Sequence, residues 1–438
     1  MEGRLLLKDC SLFSADGRVR AHMAVLVEGA SIVQVVDDGA LPALPGDWAV
    51  QCDGRLVTPG FVDCHTRLVG AQLSPWSGHH LLRPLEERYT FEAQIERVVT
   101  VGEVEALTAA ALARGLLRGT TMFVEHLHAP SCVEDALAVQ GRTAERLGAR
   151  LVNSHASSSL MKELPGPAQV EANAGHVVAT KGNPLVRGSL GVAASFCADD
   201  DLLRRVGRLK EELGVGAHFR MAESDEDLAL TWDRHNTRVV NRLETFGLLG
   251  GASVGAHARA IDRFEAQRLA RTRTLIALSP RLTHTLEGGS ALGMEAVLLS
   301  QNLVGLGTGG SGTLWEELSA SFTGVMSLAR SGRMLDPDNL MATFLVAGPA
   351  ELCTMVFGQP SGTIDMGAMA DLVVHDFVPA QEVGNFTPHL LMQLSQTRVA
   401  WTIVNGRVVV REGQLLAAPS LQLEHQAAKA VEAVWTRC

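Results

Sequence analysis

The sequence has no excess of basic residues and no long apolar run. Among its 438 residues Lys and Arg number 38 against 48 Asp and Glu, which gives a formal net charge of −10. Because nucleic-acid binding needs a basic surface, this balance argues against a nucleic-acid partner. No segment approaches the run of about 18 apolar residues that a membrane helix requires, so we also expect no membrane partner.

The cysteines do not form a motif either. There are seven of them, an odd number, and none belongs to a CxxC pair. Such a set is unsuited to a disulfide framework or a zinc ribbon, and we interpret it as buried thiols of a reducing compartment. The first residues carry scattered charges and lack the apolar segment of a signal peptide. We therefore expect a soluble, cytoplasmic protein.

Two kinds of pattern divide the chain. Short strand-like runs with turn residues between them occupy residues 1–58 and return in residues 368–438, where a final amphipathic helix follows. Residues 59–367 instead alternate apolar strand-like runs with helical stretches, which is typical of a parallel βα barrel. Neither end has enough strands for a sandwich of its own. The pattern predicts an α/β protein, with a barrel and a composite β-sandwich built from both termini.

Polar residues follow the first strand of the predicted barrel. In the stretch LVTPGFVDCHTRLVG, which begins at Leu56, an apolar run is followed by Asp63, His65 and Arg67 at alternate positions. Alternate residues of a strand point to one face, and catalytic groups of such barrels lie where strands end. Seven of the fifteen histidines fall at predicted strand ends, which favours a polar pocket: His65, His126, His128, His155, His218, His257 and His284.

This stretch resembles the PGFVDxHxH signature of the amidohydrolase superfamily. The resemblance is closest to the cytosine-deaminase and chlorohydrolase branch, in particular to SsnA-like aminohydrolases, and it extends over almost the whole chain. Its further motifs are GLLRGTT from Gly115, EHLHAP from Glu125, GAH from Gly255 and ADLVV from Ala370. It implies a (β/α)8 TIM barrel of the metal-dependent hydrolase type on a small β-sandwich. It also implies one divalent metal, usually zinc or iron, that activates water for attack on a C–N or C–Cl carbon.

The positions that would hold this metal depart from the family pattern. The first strand gives His65 and Arg67 where the family has two His, and Arg220 stands at the ligand position of the fifth strand. The eighth strand gives Gly309 in place of an Asp. A guanidinium stays protonated and has no lone pair to donate. We therefore predict no metal and no cofactor at this place.

Two residues of the family's catalytic machinery are present. Glu223 matches the proton shuttle of the fifth strand, and His257 matches the sixth-strand His that lies beside the metal-bound water. If the protein is active, the resemblance implies His65, Glu223 and His257 as its catalytic residues.

A relocated divalent metal such as zinc is an alternative, held by Glu125, His126 and His128 together with His65 and His155. Strand alternation disfavours it, because the other ligands would have to come from separate strands. The glycine-rich sequence GLGTGGSG from Gly305 lacks a Walker lysine, and we interpret it as the altered loop of the eighth strand.

The two arginines lead to two readings of the pocket. A buried charge needs a partner, and Asp63 and Glu223 are the internal candidates for a structural ion-pair network. Alternatively Arg67 and Arg220, with Asp63 and His218 beside them, form a ligand-binding site that grips a carboxylate or phosphate.

Two functions follow from these readings. The first is a pseudoenzyme subunit without a catalytic metal, which binds a ligand or acts as a scaffold through its cationic pocket. The second is an active hydrolase or deaminase acting on non-peptide C–N bonds of a nitrogen-rich cyclic substrate such as a purine or pyrimidine. We expect a small anionic or nitrogen-heterocyclic ligand as partner. We also expect a homodimer or a hetero-complex subunit.

Overall fold

The computed structural model of the protein describes residues 4–13, 18–74, 80, 82–160, 166–287, 292–330, 336, 342–380 and 393–438. In chain order, the first strands of this part are β1 Leu5–Phe13, β2 Val19–Glu28, β3 Ser31–Asp37, β4 Trp48–Gln51 and β5 Leu56–Pro59. The central strands are β6 Phe61–Thr66, β7 Thr120–Leu127, β8 Arg150–His155, β9 Val186–Gly188, β10 Leu190–Ala194, β11 Ala217–Met221, β12 Val254–His257, β13 Leu275–Leu278 and β14 Val304–Leu306. The last strands are β15 Leu372–His375, β16 Val399–Val404, β17 Arg407–Arg411 and β18 Gln414–Leu415.

The helices lie mostly between the central strands. They are α1 Gly70–Leu73, α2 Leu85–Glu96, α3 Val101–Leu116, α4 Val133–Leu147, α5 Gly166–Ala179, α6 Asp200–Leu213, α7 Asp225–His235, α8 Val239–Thr245, α9 Arg263–Thr272, α10 Pro280–Glu287, α11 Leu292–Leu299, α12 Leu314–Arg330, α13 Gly348–Phe357 and α14 Ser420–Arg437. Their ends follow from the sequence. For example, α3 begins at a capping box of Thr100 and Glu103, and α6 ends at Gly214 in the left-handed conformation.

A nine-stranded sheet of mixed direction takes its strands from both ends of the described chain. Its order is β18-β17-β16-β15-β5-β1-β2-β3, with β4 paired to β1. The two ends meet where β15 runs antiparallel to β5, with Val374 opposite Val57. The ladders of the two ends form one sheet, and the composite β-sandwich remains a prediction. The boundaries of that unit at residues 58 and 368 remain a prediction.

Two parallel sheets make up the central part, with orders β6-β7-β8-β9 and β10-β11-β12-β13-β14. An isolated parallel bridge between Ser157 and Val192 lies at one seam between them. At the other seam the amide of Gly309, which follows β14, donates to the carbonyl of His65 at 2.9 Å. The described strands therefore form a TIM-barrel-like α/β arrangement, as predicted, in which the hydrogen-bonded ladders are interrupted at two seams.

The central strands are buried because they are covered on both sides. All eight residues of β7, TTMFVEHL, are buried, and so are all six of β6 and β8. Parallel strands between helices have this continuous pattern, in contrast to the alternation of a half-exposed strand. Polar side chains in these strands are thus buried at the strand ends, where they need partners.

The burial of the cysteines and the position of His284 agree only in part with our predictions. Five of the seven thiols are buried, but Cys132 is partly exposed and Cys438 is exposed, and none is in a disulfide. His284, which we expected at a strand end, lies on α10. None of the helices in the described ranges combines the length and hydropathy that a membrane crossing requires.

A buried ion pair ties β8 to the segment before β15. Arg150 donates to both oxygens of Asp371, from Nε at 2.5 Å and from Nη2 at 3.0 Å, and both side chains are almost fully buried. Nη2 of Arg150 also donates to the side chain of Asn405, whose backbone amide donates to Asp371 at 2.7 Å. This pair therefore connects a central parallel strand to the mixed sheet.

Replacing Asp371 by Ala leaves the buried guanidinium of Arg150 without its carboxylate. We expect a loss of about 3–5 kcal/mol in the free energy of unfolding, measured by urea denaturation, because an unpaired buried charge is strongly unfavourable. The exposed pair of Arg114 and Glu424 is the control, and Glu424→Ala should cost less than about 1 kcal/mol. Equal losses in the two variants would contradict this account.

Candidate active site

Histidines from four strands meet at one end of the parallel sheets. Nδ1 of His65 lies 2.9 Å from Nε2 of His218, and the ring of His257 is edge-on to His65 with centroids 5.2 Å apart. The ring of His126 lies 4.6 Å from that of His218, and its Nε2 donates to the carbonyl of Val192. The strands thus bring together His65, His126, His218 and His257. His218, which we predicted at a strand end, is the second residue of β11, because this strand continues to Met221.

Burial controls the charge of these rings. It lowers the pKa of His65 well below its ordinary value, that of His218 to about 3 and that of His257 to about 4. The neighbouring Arg220 lowers all three further. The rings are therefore neutral near pH 7 and can act as hydrogen-bond donors and acceptors.

Asp63 does not pair with either arginine. Its carboxylate accepts hydrogen bonds from the amide of Thr308 at 3.0 Å and from the Thr308 hydroxyl at 2.6 Å. Burial raises the pKa of Asp63 to about 7, although both bonds oppose the shift. Asp63, one of the two internal candidates for pairing with the arginines, is therefore bonded instead to Thr308 in the loop after β14.

Arg67 lies just after β6 and is neutralised by helix α2. Nη1 of Arg67 is 2.8 Å from Glu92, and Nη2 donates to Glu96 at 2.7 Å. Nδ1 of His128 is 2.9 Å from the second oxygen of Glu96, and Nε2 of His80 is 3.6 Å from Glu92. Burial opposes the charge of Arg67, but the two carboxylates outweigh it and raise the pKa. Arg67 is thus part of a structural ion network, with partners that we did not predict.

Arg220, on β11, has different surroundings. Its guanidinium lies over the ring of Tyr89, 3.9 Å from the centroid, and its Nε donates to the carbonyl of Ala193 at 3.3 Å. Among the described residues no carboxylate oxygen lies within ion-pair distance of it. The two arginines therefore differ, since one is saturated with carboxylates and the other is held by an aromatic ring and a backbone carbonyl.

Glu223 follows β11 and is almost fully buried. The hydroxyl of Tyr89 donates to its carboxylate at 2.8 Å, and its own amide donates to Asp227 at 3.1 Å. Burial would raise the pKa of Glu223, but the charges of Arg220 and Arg88 and the hydrogen bond from Tyr89 oppose this effect, and the pKa stays below its ordinary value. Glu223 is thus a buried, ionised carboxylate next to a neutral His257.

The backbone at these strand ends is strained. His257 and the following Ala258 have φ angles of 75° and 53°, and Ala222, before Glu223, has a φ of 45°. Left-handed backbone at residues with a β-carbon costs on the order of 1–3 kcal/mol each and concentrates at functional sites. In this chain it orients the ends of β11 and β12, which carry Glu223 and His257.

Two cavities open at this end of the sheets and share Arg67, Tyr89, Glu92 and Arg220. The Glu223 cavity, of about 40 Å³, is lined also by His65, Glu223, His257 and Gly309. The His128 cavity, of about 200 Å³, is lined also by His126, His128, Ala156, Leu160 and Ala193. Arg220 and Tyr89 thus form a wall common to both.

The residues of the alternative metal site do not form one ligand cluster, although the ring of His65 lies 5.7 Å from that of His126 and the ring of His128 stacks on His155 at 5.4 Å. Glu125 accepts from the amide of Leu68 and the side chain of Gln140, and His128 lies against Glu96. Neither ring nitrogen of the buried His155 has a hydrogen-bond partner within the described ranges. In the same ranges no three His, Cys, Asp or Glu side chains are arranged to hold a metal ion.

The fold and these strand-end residues define a hydrolase-like α/β protein. The model of the amidohydrolase family matches residues 56–409, and the chain belongs to this family. Our identification of the superfamily is thereby confirmed.

Several deaminases are similar over nearly the whole chain. The 5-methylthioadenosine/S-adenosylhomocysteine deaminase of Desulforudis audaxviator is 25% identical, with 94% of this chain and 95% of the relative covered. The 8-oxoguanine deaminase of Pseudomonas aeruginosa is also 25% identical, with 95% and 96% covered. These relatives favour the second of our predicted functions over the first.

Solved structures agree on the fold. An adenosine deaminase of Xanthomonas campestris with bound zinc has a TM-score of 0.83 at 20% identity, covering 99% of this chain and 98% of that one. Atrazine chlorohydrolase of Arthrobacter aurescens complexed with zinc has a TM-score of 0.76 at 19% identity, covering 98% and 100%.

The comparisons overturn our prediction that no cofactor takes part. Family relatives are deaminases, and two similar structures hold zinc, so a divalent metal is the cofactor that these similarities indicate. The side chains at the expected metal position do not supply enough ligand atoms for such an ion. Nε2 of His65 is buried and has no hydrogen-bond partner in the described part of the chain, as suits a ligand nitrogen, but Arg67, Arg220 and Gly309 add no lone pair.

The sequence did not reveal the contribution of helix α2. Tyr89, Glu92 and Glu96 stand at i, i+3 and i+7 and so share one helix face, which contacts Arg220, Arg67 and Glu223. One signal was available, because Tyr89 is the single tyrosine of the sequence.

We expect Arg67→Met to destabilise the protein by about 3–5 kcal/mol, because it leaves Glu92 and Glu96 buried without their cation. Adding Glu92→Gln to this variant removes one of the two orphaned charges. The double variant should then be less destabilised than the sum of the single ones, with a coupling of about 0.5–3 kcal/mol. Urea denaturation of the four proteins measures this cycle.

The exposed pair of Arg146 and Glu105 is the matched control for the cycle, since its atoms are 3.1 Å apart but half of each side chain is in solvent. The same cycle there should give a coupling below about 1 kcal/mol. A coupling near zero for Arg67 and Glu92 would show that the network contributes nothing to stability.

Proposed function

We propose that the protein is a hydrolase that deaminates a nitrogen heterocycle, such as a purine or pyrimidine derivative. The observation that carries the proposal is the buried, ionised Glu223 beside the neutral His257, both at strand ends that open into a cavity. Similarity to deaminases over nearly the full length supports the same reaction class.

In the proposed reaction, water adds to the ring carbon that carries the exocyclic amino group. Glu223 accepts the proton of this water and then delivers it to the amine, which leaves as ammonia. Tyr89, which donates to Glu223, fixes the orientation of the carboxylate. His257 offers a neutral imidazole to hydrogen-bond the water or the ring, and His65 lines the same cavity.

The barrel-plus-sandwich architecture is part of the proposal. We propose that the two parallel sheets form the closed (β/α)8 barrel, in residues 59–367. Residues 1–58 and 368–438 then form the composite unit. We further propose that the chain assembles as a homodimer or with a second protein. Light scattering of the purified chain, whose mass is 46.7 kDa, tests the assembly.

A screen for ammonia release tests the activity. The substrates are cytosine, adenosine, 5-methylthioadenosine and 8-oxoguanine, each with protein as purified, after chelation and after addition of zinc or iron. Metal content is measured in parallel by elemental analysis. We expect release from at least one substrate, and a fall of about 10²–10⁴-fold in kcat for Glu223→Gln.

Glu87→Gln serves as control, because Glu87 is an exposed acid on helix α2. Its kcat should equal that of the unmodified protein. Absence of ammonia under all metal conditions, or unchanged kcat in Glu223→Gln, would overturn the proposal. A ligand-binding role without chemistry would then account better for the pocket.

A further inference from the structure

Arg220 is held in place without a carboxylate. Its guanidinium is fixed from one side by the ring of Tyr89 at 3.9 Å, and its Nε donates to the carbonyl of Ala193. Both contacts leave the cation with its full charge. In the described part of the chain no ion pair forms with it, in contrast to Arg67 with its two carboxylates at 2.8 and 2.7 Å.

The position of Arg220 makes this charge accessible to a ligand. The residue lines both the Glu223 cavity and the His128 cavity. Three other polar groups in the wall of the His128 cavity are already engaged: Glu92 and Glu96 with Arg67, and His126 with the carbonyl of Val192. Apolar surface beside Arg220 comes from Ala156, Leu160 and Ala193. A planar ring and a negative group therefore both find complementary surface here.

We propose that the substrate of this protein is a nitrogen heterocycle that carries an oxyanion, a carboxylate or a phosphate, and that Arg220 binds this oxyanion. The inference rests on the proposed deaminase function. A guanidinium presents paired N–H donors that match both oxyanions, and its orientation on an aromatic face reduces the entropy lost on binding. Arg67 takes no part, because Glu92 and Glu96 already neutralise its charge.

Binding is measured by isothermal titration calorimetry with two matched ligand pairs. They are cytosine with 5-carboxycytosine, and adenosine with adenosine 5′-phosphate, so that each pair differs in the anionic group. We expect the anionic member of one pair to bind at least tenfold more tightly. The pair that responds distinguishes a carboxylate from a phosphate. Equal affinities within both pairs, or no binding of any of the four, would overturn the proposal.

Three variants separate the role of Arg220 from general charge. Arg220→Gln should abolish the preference for the anion while retaining the neutral ligand, and Arg220→Lys should retain part of it. Arg97→Gln is the matched control, because Arg97 is an exposed arginine that lines the same His128 cavity. It should keep the full preference. If Arg97→Gln and Arg220→Gln weakened the preference for the anion equally, the preference would come from long-range charge. Arg220 would then not be the residue that binds the anion.

The two proposals fail separately. Anion preference that depends on Arg220, with no ammonia released, would refute deamination alone. Ammonia release from neutral heterocycles, without any preference for anions, would refute the present proposal alone. Thermal unfolding of Arg220→Lys and Arg220→Gln verifies that both variants are folded before binding is compared.

Discussion

Neutralisation of the buried guanidinium of Arg67 is the constraint around which the active-site end is arranged. A charge in this position is tolerated only with carboxylates at contact distance, and the chain supplies them from Glu92 and Glu96. Helix α2 is thereby held across the strand ends. Its position in turn places Tyr89 between Glu223 and Arg220. The ion network and the pocket wall are thus consequences of the same helix placement.

Much of the fold could be predicted because buried parallel strands leave a clear pattern. Strands such as β7 are buried throughout, with apolar residues at their centre and polar residues near their ends. The geometry of parallel sheets then brings together side chains that are far apart in sequence. His65 and His218 meet in this way across 153 positions. Their proximity followed from the strand pattern alone.

The partners of the charged residues could not be predicted in the same manner. Asp63 was expected to meet an arginine, but its acceptors are filled by Thr308, which the loop after β14 brings to it. Glu92 and Glu96 lie on a helix whose contact with the strands is set by tertiary packing. Nothing in the spacing of α2 indicates which face turns inward. Ion pairs depend on distances of a few ångströms. A sequence pattern shows only which face of a helix or strand a residue lies on and where that element ends.

Family membership describes the scaffold of this protein, whereas its function depends on the side chains at the strand ends. The chain belongs to a family that includes deaminases among its relatives, and some similar structures hold zinc. At the active-site end this chain has Arg67 after β6 and Arg220 on β11. Because function is determined by the site more than by the fold, the cation at Arg220 says more about the ligand than the scaffold does.

The single tyrosine has a practical consequence. Tyr89 donates to Glu223 and carries Arg220 on its ring, and burial raises its pKa well above the ordinary value, so it stays a protonated donor. Supplying fluorotyrosine during expression would therefore place one fluorine label in the whole molecule, at the contact between the acid and the cation. Its nuclear magnetic resonance signal would need no assignment. It would report every change of charge or occupancy in the pocket directly.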